Sequence, residues 1–137
     1  MNRGRKTVKT IMLLIGVGFA LSAALAANER IAELNVRRAA ESLPTTHMYL
    51  GLHIGEVFFG NIGSANRLDF TVVGPAVNET SRIAAMCRSV ERNILMSAAF
   101  AGKLEDNRRV VSVGRYALRG VGRAQELFTL DPEAAGR

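Results

Sequence analysis

Two polar residues, Asn78 and Arg82, lie four positions apart in a segment that follows Gly74 and Pro75. Proline is favoured in the first turn of a helix, because its missing N–H would have no partner there, so a helix is predicted after it. Residues four apart project from the same side of a helix. An amide and a guanidinium placed together can bind an anion, although the same spacing also fits an ordinary solvated helix face.

A strand and a hairpin are predicted immediately before this helix. Within residues 48–57, Leu50, Leu52 and Ile54 alternate with a second set of side chains, which is the period-2 pattern of a half-buried strand. Residues 69–73 are mostly β-branched or aromatic and favour a second strand. The link between the two strands is rich in glycine and asparagine, which form turns. This pattern predicts a β-hairpin that leads into the helix.

Residues 51–82 resemble the second half of a class III adenylate/guanylate cyclase catalytic domain. The resemblance rests on the segments GLHIGEV, GNIGS and RLDFTVVGPAVN, the last followed directly by ETSR. It continues through RNILMS and YALRGV, so residues 19–130 are identified as the C-terminal part of such a domain. The resemblance implies an α/β (α+β) fold, namely a partial ferredoxin-like nucleotide cyclase palm that lacks the first strands of the domain.

The resemblance also implies roles for four residues. Asn78 matches the asparagine that orients the ribose, and Arg82 matches the arginine that stabilises the transition state at the phosphate. Thr71 stands where many members carry the aspartate that reads adenine and one bacterial subgroup carries threonine. A hydroxyl can donate or accept a hydrogen bond, so ATP is favoured. Arg119 lies near the position of a phosphate-binding lysine, with the charge retained but a different geometry.

The implied reaction converts ATP into cyclic AMP and pyrophosphate, through attack of the ribose 3′ hydroxyl on the α-phosphate. Family members use two ions, Mg or Mn, held by aspartates in the first half of the domain. No aspartate precedes Gly51, and Glu56 and Asp69 match positions that are not metal ligands. The chain by itself is therefore predicted to be inactive and to have no metal site.

The sequence is compatible with two functions. In the first, the chain forms a homodimer or binds a full-length cyclase subunit, and it completes an active site there with Asn78 and Arg82. In the second, it is an orphaned fragment or a non-catalytic dimerisation module that pairs with a full-length cyclase. In the family, central strands of the palm belong to the first half. The strand over 48–57 is therefore predicted to have an unpaired edge, and stability is predicted to be marginal.

The composition excludes some partners and sites. The chain of 137 residues has a formal charge of +6 and a pI near 10.4, but its basic residues are widely spread, so nucleic-acid binding is not expected. Its one cysteine, Cys87, excludes an intramolecular disulfide framework and fits a reducing compartment. Helical spacing with Val77 and Ala84 predicts that Cys87 belongs to the core. No Cys and His spacing typical of a metal site is present.

The N-terminal segment allows three interpretations. Basic residues up to Lys9 and an apolar run over residues 11–27 are typical of a signal peptide, and this run is also just long enough for a marginal membrane span. In the third interpretation the segment belongs to a domain helix, because residues 24–44 resemble the helix that precedes the strand in bacterial cyclases. We favour this one: a cytoplasmic protein whose residues 1–18 are a non-matching leader or a misassigned start. Membrane anchoring and export are the alternatives.

The C-terminal part is predicted to contain three short strands and one helix. A buried strand over 93–97 ends at Ser97, which can cap a brief helix over residues 98–104. Further strands are predicted over 110–118 and 125–130, with a flexible tail over 131–137.

Overall fold

The computed structural model describes residues 3–64, 67–105 and 109–131, and it describes side chains within 16–61, 71–105 and 109–131. These ranges contain both helices and strands. In chain order they are α1 (Arg3–Ala40), β1 (Leu50–Leu52), β2 (Phe58–Ser64), β3 (Arg67–Val73), α2 (Pro75–Met86), β4 (Ile94–Ser97), α3 (Ala98–Ala101), β5 (Val110–Tyr116) and β6 (Gln125–Leu130). The predicted tail lies outside the described residues from position 132 onward.

Four strands form one mixed sheet in the order β1-β4-β6-β5. β1 and β4 run parallel, and α2 lies in the connection between them, whereas β4–β6 and β6–β5 are antiparallel pairs. A parallel pair needs such a crossover, because both strands begin at the same end of the sheet. Helices combined with a mixed sheet confirm the predicted α/β (α+β) class.

β2 and β3 form a separate antiparallel hairpin. A hairpin was correctly predicted, but its first strand was placed wrongly: residues 48–57 contain only the short β1, and β3 pairs with β2 instead. Pairing starts with Phe58 opposite Val73 and continues to the other ends of both strands. Residues 65 and 66 lie outside the described residues. Gly60 and Gly63, which were expected in a turn, instead lie inside β2 and pair with β3.

β1 lies at the edge of the four-stranded sheet, as predicted. In the described part of the chain, β4 is the one strand that pairs with Leu50–Leu52. Backbone groups along such an edge can serve as a template for another chain. The marginal stability expected from this edge stays a prediction.

The sheet separates two apolar clusters. Ile83, Cys87, Leu95, Leu118 and Leu127 form the cluster between α2 and the sheet, and Val17, Met96, Phe100 and Ala101 form the one on the opposite side. Leu95 and Met96 are adjacent and fully buried, yet they belong to different clusters, because successive side chains of a strand point to opposite faces. Both faces of β4 are therefore covered.

The predicted core position of Cys87 is confirmed. Its side chain is fully buried, and its Sγ lies 3.6 Å from the carbonyl oxygen of Leu50 and 3.8 Å from that of Asn93. Burial raises the pKa of the Cys87 thiol above its ordinary value, because a thiolate would lose solvation there. The side chain thus links the end of α2 to the sheet as a neutral thiol.

α1 continues without interruption past residue 18, where a boundary was predicted, and Val17 on this helix is buried. Near the end of the helix, the side chain of Asn35 donates to the carbonyl of Thr46 at 2.8 Å and accepts from the N–H of Thr46 at 3.0 Å. These two bonds direct the chain towards β1. Within the described ranges, no helix has both the length and the apolar composition that a membrane crossing requires. The division at residue 18 stays a prediction.

Candidate functional site

A tight turn at Gly74 brings α2 directly to the end of β3. Gly74 has a φ of 142°, which residues with a side chain rarely adopt. An added Cβ would also lie 3.2 Å from the carbonyl oxygen of Glu56. Pro75 occupies the first turn of the helix, as predicted. The carbonyl of Gly74 accepts a hydrogen bond from the N–H of Val77 at 3.1 Å. The first turns of α2 therefore lie next to the hairpin.

The backbone of β1 and the loop after it lie directly against α2. A Cβ on Gly51 would lie 2.7 Å from the carbonyl oxygen of Thr80, and one on Gly55 would lie 2.6 Å from the Cβ of Ala76. Only glycine permits an approach this close. The two glycines of the GLHIGEV segment thus set the distance between the helix and the strand, and with it the position of the polar residues on α2.

Three of the four predicted site residues line one open pocket of about 620 Å³. Asn78 and Arg82 come from α2, where their spacing of four places them on the same side, and Arg119 comes from the connection between β5 and β6. The complete lining consists of Gly74, Pro75, Asn78, Glu79, Arg82, Arg119, Gly120, Val121 and Gly122. The fold thus brings together two parts of the chain that are distant in sequence.

The charges of this pocket favour an anion. Its lining includes two guanidinium groups, of Arg82 and Arg119, and one carboxylate, that of Glu79. Both arginines are exposed, and with the described residues neither forms an ion pair. A guanidinium offers five N–H donors in a planar fork that matches phosphate and carboxylate oxygens. The pocket therefore presents cationic donors to the solvent, together with the amide of Asn78.

Thr71 lies outside this lining. It is half-buried on β3, opposite Gly60 of β2, whereas the pocket residues belong to α2 and the β5–β6 connection. The structure therefore groups Asn78, Arg82 and Arg119, and leaves Thr71 on the hairpin. Its role in reading the base stays a prediction.

Sequence reasoning did not identify Glu79, although it lines the pocket. Its Oε2 lies 3.3 Å from Nε2 of His53 and accepts a hydrogen bond from Nε2 of Gln125 at 3.1 Å. These partners come from the loop after β1 and from the start of β6. No local spacing links the three residues, so only the fold reveals the contact. The one available signal, an acid beside Asn78, fits a solvated helix face equally well.

The pocket does not fit divalent metal ions. Mg²⁺ and Mn²⁺ prefer carboxylate, carbonyl and water oxygens, whereas two guanidinium groups repel a cation. Among the described residues, no group of three or more His, Cys, Asp or Glu side chains is arranged to hold a metal ion. The pocket residues thus do not match the two ions, Mg or Mn, that the resemblance implies.

The mixed sheet, its crossover helix and the pocket at the start of that helix agree with the nucleotide cyclase palm that the resemblance implies. The chain belongs to the family of adenylate and guanylate cyclase catalytic domains, whose family model matches residues 8–131. The resemblance drawn from the segments GLHIGEV and RLDFTVVGPAVN is confirmed. The match begins within residues 1–18.

A curated relative and two solved structures show the extent of the similarity. Adenylate cyclase 1 of Rhizobium meliloti (strain 1021) is 29% identical over 105 residues, which cover 77% of this chain and 16% of that protein. This chain therefore spans about a sixth of the length of that relative.

Among solved structures, the adenylyl cyclase CyaB from P. aeruginosa aligns with a TM-score of 0.71 at 24% identity, over 81% of this chain and 56% of that one. The guanylyl cyclase Cya2 aligns with a TM-score of 0.65 at 27% identity, over 81% of this chain and 55% of that one. Both alignments cover part of a cyclase domain structure, which confirms the predicted partial palm.

Proposed function

We propose that this chain supplies the ribose- and phosphate-binding side of a class III cyclase active site, which converts ATP into cyclic AMP and pyrophosphate. One observation carries the proposal: Asn78, Arg82 and Arg119 line the same open pocket, and the two arginines form no ion pair with the described residues. Each of these side chains can donate hydrogen bonds to a polar, negatively charged ligand.

Each residue has a distinct part in this proposal. The Arg82 guanidinium donates to phosphate oxygens as negative charge develops during attack by the 3′ hydroxyl. Removing one such preorganised donor typically lowers the rate on the order of 100- to 1000-fold. The Asn78 amide can both donate and accept, so it can orient the ribose. Arg119 binds the polyphosphate from the connection between β5 and β6, and Thr71 contacts the adenine base from the hairpin.

The remaining parts of the site would come from outside these residues. The two arginines of the lining repel cations, so the carboxylates for two Mg or Mn ions would belong to another segment or to another chain. A homodimer, or a complex with a full-length cyclase subunit, would bring the two sides of the site together. A cytoplasmic location is part of the proposal, because ATP is the substrate.

Complementation in trans tests this function. A full-length cyclase partner that retains its metal-binding carboxylates, but carries Ala at its own counterpart of Arg82, is mixed with this chain, and cyclic AMP is measured. We expect the wild-type chain to restore activity. The Arg82→Ala chain should restore on the order of 100-fold less, because the donor to the phosphate is absent.

Arg88→Ala serves as the matched control, since Arg88 is also an exposed arginine but lies outside the pocket lining. This variant should restore activity as well as the wild-type chain does. Formation of the mixed complex without any cyclic AMP would contradict the proposal.

A non-catalytic dimerisation module is the second candidate, and the exposed hairpin favours it. Phe58 is 66% exposed and Phe59 is 72% exposed, while Val72 and Val73 on the facing strand are also exposed. Apolar surface of this kind is typical of interaction sites. In this case the chain would lower the activity of an intact partner, which the same assay measures when the partner carries no substitution.

A further inference from the structure

Four elements meet in a polar cluster beside the pocket. Nδ1 of His53 lies 2.8 Å from Oγ of Ser97, at the end of β4, and Nε2 of His53 lies 3.3 Å from Oε2 of Glu79, on α2. Gln125, at the start of β6, donates to the same carboxylate oxygen at 3.1 Å. The side chain of His53 is 9% exposed and that of Glu79 is 25% exposed. These four residues are named the His53–Glu79 cluster.

The hydrogen bonds of the cluster are consistent with one neutral form of His53. Oγ of Ser97 accepts from the N–H of Phe100 at 3.2 Å, so its own hydrogen can go to Nδ1 of His53. Nε2 then carries the ring hydrogen and donates to Glu79. In the other neutral tautomer, an unprotonated Nε2 would face a carboxylate, which places two acceptors together. The cluster therefore selects the tautomer that bonds to Glu79.

Directional hydrogen bonds can orient the first turns of α2, because the glycines of the nearby α2–β1 contact have no side chains. Gly51 and Gly55 set how close the helix lies to the strand, but they have no side chains that could resist a rotation of its first turns. The bonds from His53 and Gln125 to Glu79 do have a fixed direction, and hydrogen bonds weaken steeply when their geometry is distorted. Glu79 therefore adds directional side-chain contacts to the apolar packing that already seats α2 on the sheet.

We propose that the His53–Glu79 cluster positions the candidate site. His53 and Gln125 hold Glu79, and through it the first turns of α2, in the orientation that places Asn78 and Arg82 in the pocket. Since Glu79 lies between these two residues on the same helix, a rotation that displaces one displaces all three. The carboxylate of Glu79 is also bound by its two donors, and it forms no ion pair with Arg82 or Arg119. This inference rests on the proposed function of the pocket, but the positioning of Asn78 and Arg82 can be tested independently of that function.

Nuclear magnetic resonance of the full isotope-labelled chain tests the cluster. The readouts are the ring nitrogens of His53, the side-chain amide of Asn78 and the Nε–H group of Arg82. We expect Glu79→Ala to shift all three sets of signals. Glu79→Gln keeps an oxygen acceptor for both donors and should return them to near their wild-type positions. Glu29→Ala, which removes the same charge from an exposed position on α1, should leave them unchanged.

The decisive result is the behaviour of the pocket residues. If the Asn78 and Arg82 signals of a folded Glu79→Ala protein stay in place, the positioning role is wrong, even when the His53 signals move. If Glu79→Ala does not fold, Gln125→Leu removes one donor while it keeps a similar size. A shift of the Asn78 and Arg82 signals in that variant supports the proposal, and unchanged signals overturn it.

Calorimetric titration with α,β-methylene-ATP separates this inference from the proposed function. We expect Glu79→Ala to bind the analogue on the order of tenfold more weakly than the wild-type chain, and Glu79→Gln to recover most of that loss. Equal affinity of the wild-type chain and a folded Glu79→Ala variant counts against the positioning role. A wild-type chain that binds no analogue contradicts the proposed function, while the resonance comparison still decides the role of the cluster.

Discussion

The four-stranded sheet with α2 and the β2–β3 hairpin obtain their stability in different ways. All residues of β4 are buried, because α2 covers one face of the sheet and α1 with α3 covers the other. The hairpin, in contrast, exposes large apolar side chains, among them Phe58 and Phe59. The sheet therefore draws on the core of this chain, whereas the hairpin offers apolar surface that a partner can cover.

This contrast divides the candidate site. Asn78, Arg82 and Arg119 belong to α2 and the β5–β6 connection, and so depend on the core of the sheet. Thr71 belongs to the hairpin. The pocket residues are thus positioned by contacts within this chain, whereas Thr71 lies on a hairpin with exposed apolar side chains.

The largest expected effect is a loss of stability in Leu95→Ala. Leu95 is fully buried at the centre of β4, so the substitution leaves a cavity and should lower the free energy of unfolding by about 2–5 kcal/mol. Urea unfolding of the full chain measures this change. Val72→Ala, at a partly exposed position on the hairpin, should cost less than about 1 kcal/mol. Similar losses for the two variants would remove the distinction between the regions.

Replacing one glycine by alanine in each region compares how closely the two regions are packed. An alanine Cβ at Gly51 would lie 2.7 Å from the carbonyl oxygen of Thr80, so α2 must move away from β1 at a cost of about 1–3 kcal/mol. Nothing lies within 4 Å of the equivalent atom at Gly60 on the hairpin, and Gly60→Ala should change stability by less than about 0.5 kcal/mol. Thermal unfolding compares the two variants. The interpretation of GLHIGEV as a close-contact segment fails if Gly51→Ala is as stable as the wild-type chain.

The smallest expected effect on stability is that of Phe58→Ser. Because Phe58 is largely exposed, the free energy of unfolding should change by less than about 0.5 kcal/mol. Self-association should nevertheless weaken, since apolar surface is removed from the hairpin. Sedimentation velocity measures association, and Phe19→Ser on α1 is the control, since Phe19 is 73% exposed and Phe58 is 66% exposed. Association that is equally strong in both variants would place the contact surface elsewhere.

Local sequence signals predicted the elements whose ends depend on neighbouring residues. Pro75 begins α2, and Ser97 caps α3 by accepting a hydrogen bond from the N–H of Phe100, both as expected. The short strand β4 and the core position of Cys87 were also correctly predicted. In each case a few adjacent residues contain the physical cause, such as a missing N–H, a capping hydroxyl or an apolar run.

The division of residues 48–57 could not be predicted in this way. Period-2 alternation indicates an extended strand, but it does not say which partner the strand will find. β1 pairs with β4, more than forty residues away, while β2 pairs with its neighbour β3. β1 ends at Leu52, and Gly55 in the loop after it lies against α2.

The candidate site shows the same limit. The amino-acid sequence by itself determined the family, the helix that carries Asn78 and Arg82, and the spacing that places them on one side. Only the tertiary structure decided that Arg119 joins their pocket, that Thr71 does not line it, and that His53 and Gln125 hold Glu79. The physical reason is that helix starts and residue spacing depend on local backbone preferences, whereas contacts between distant side chains depend on how the sheet and α2 pack together.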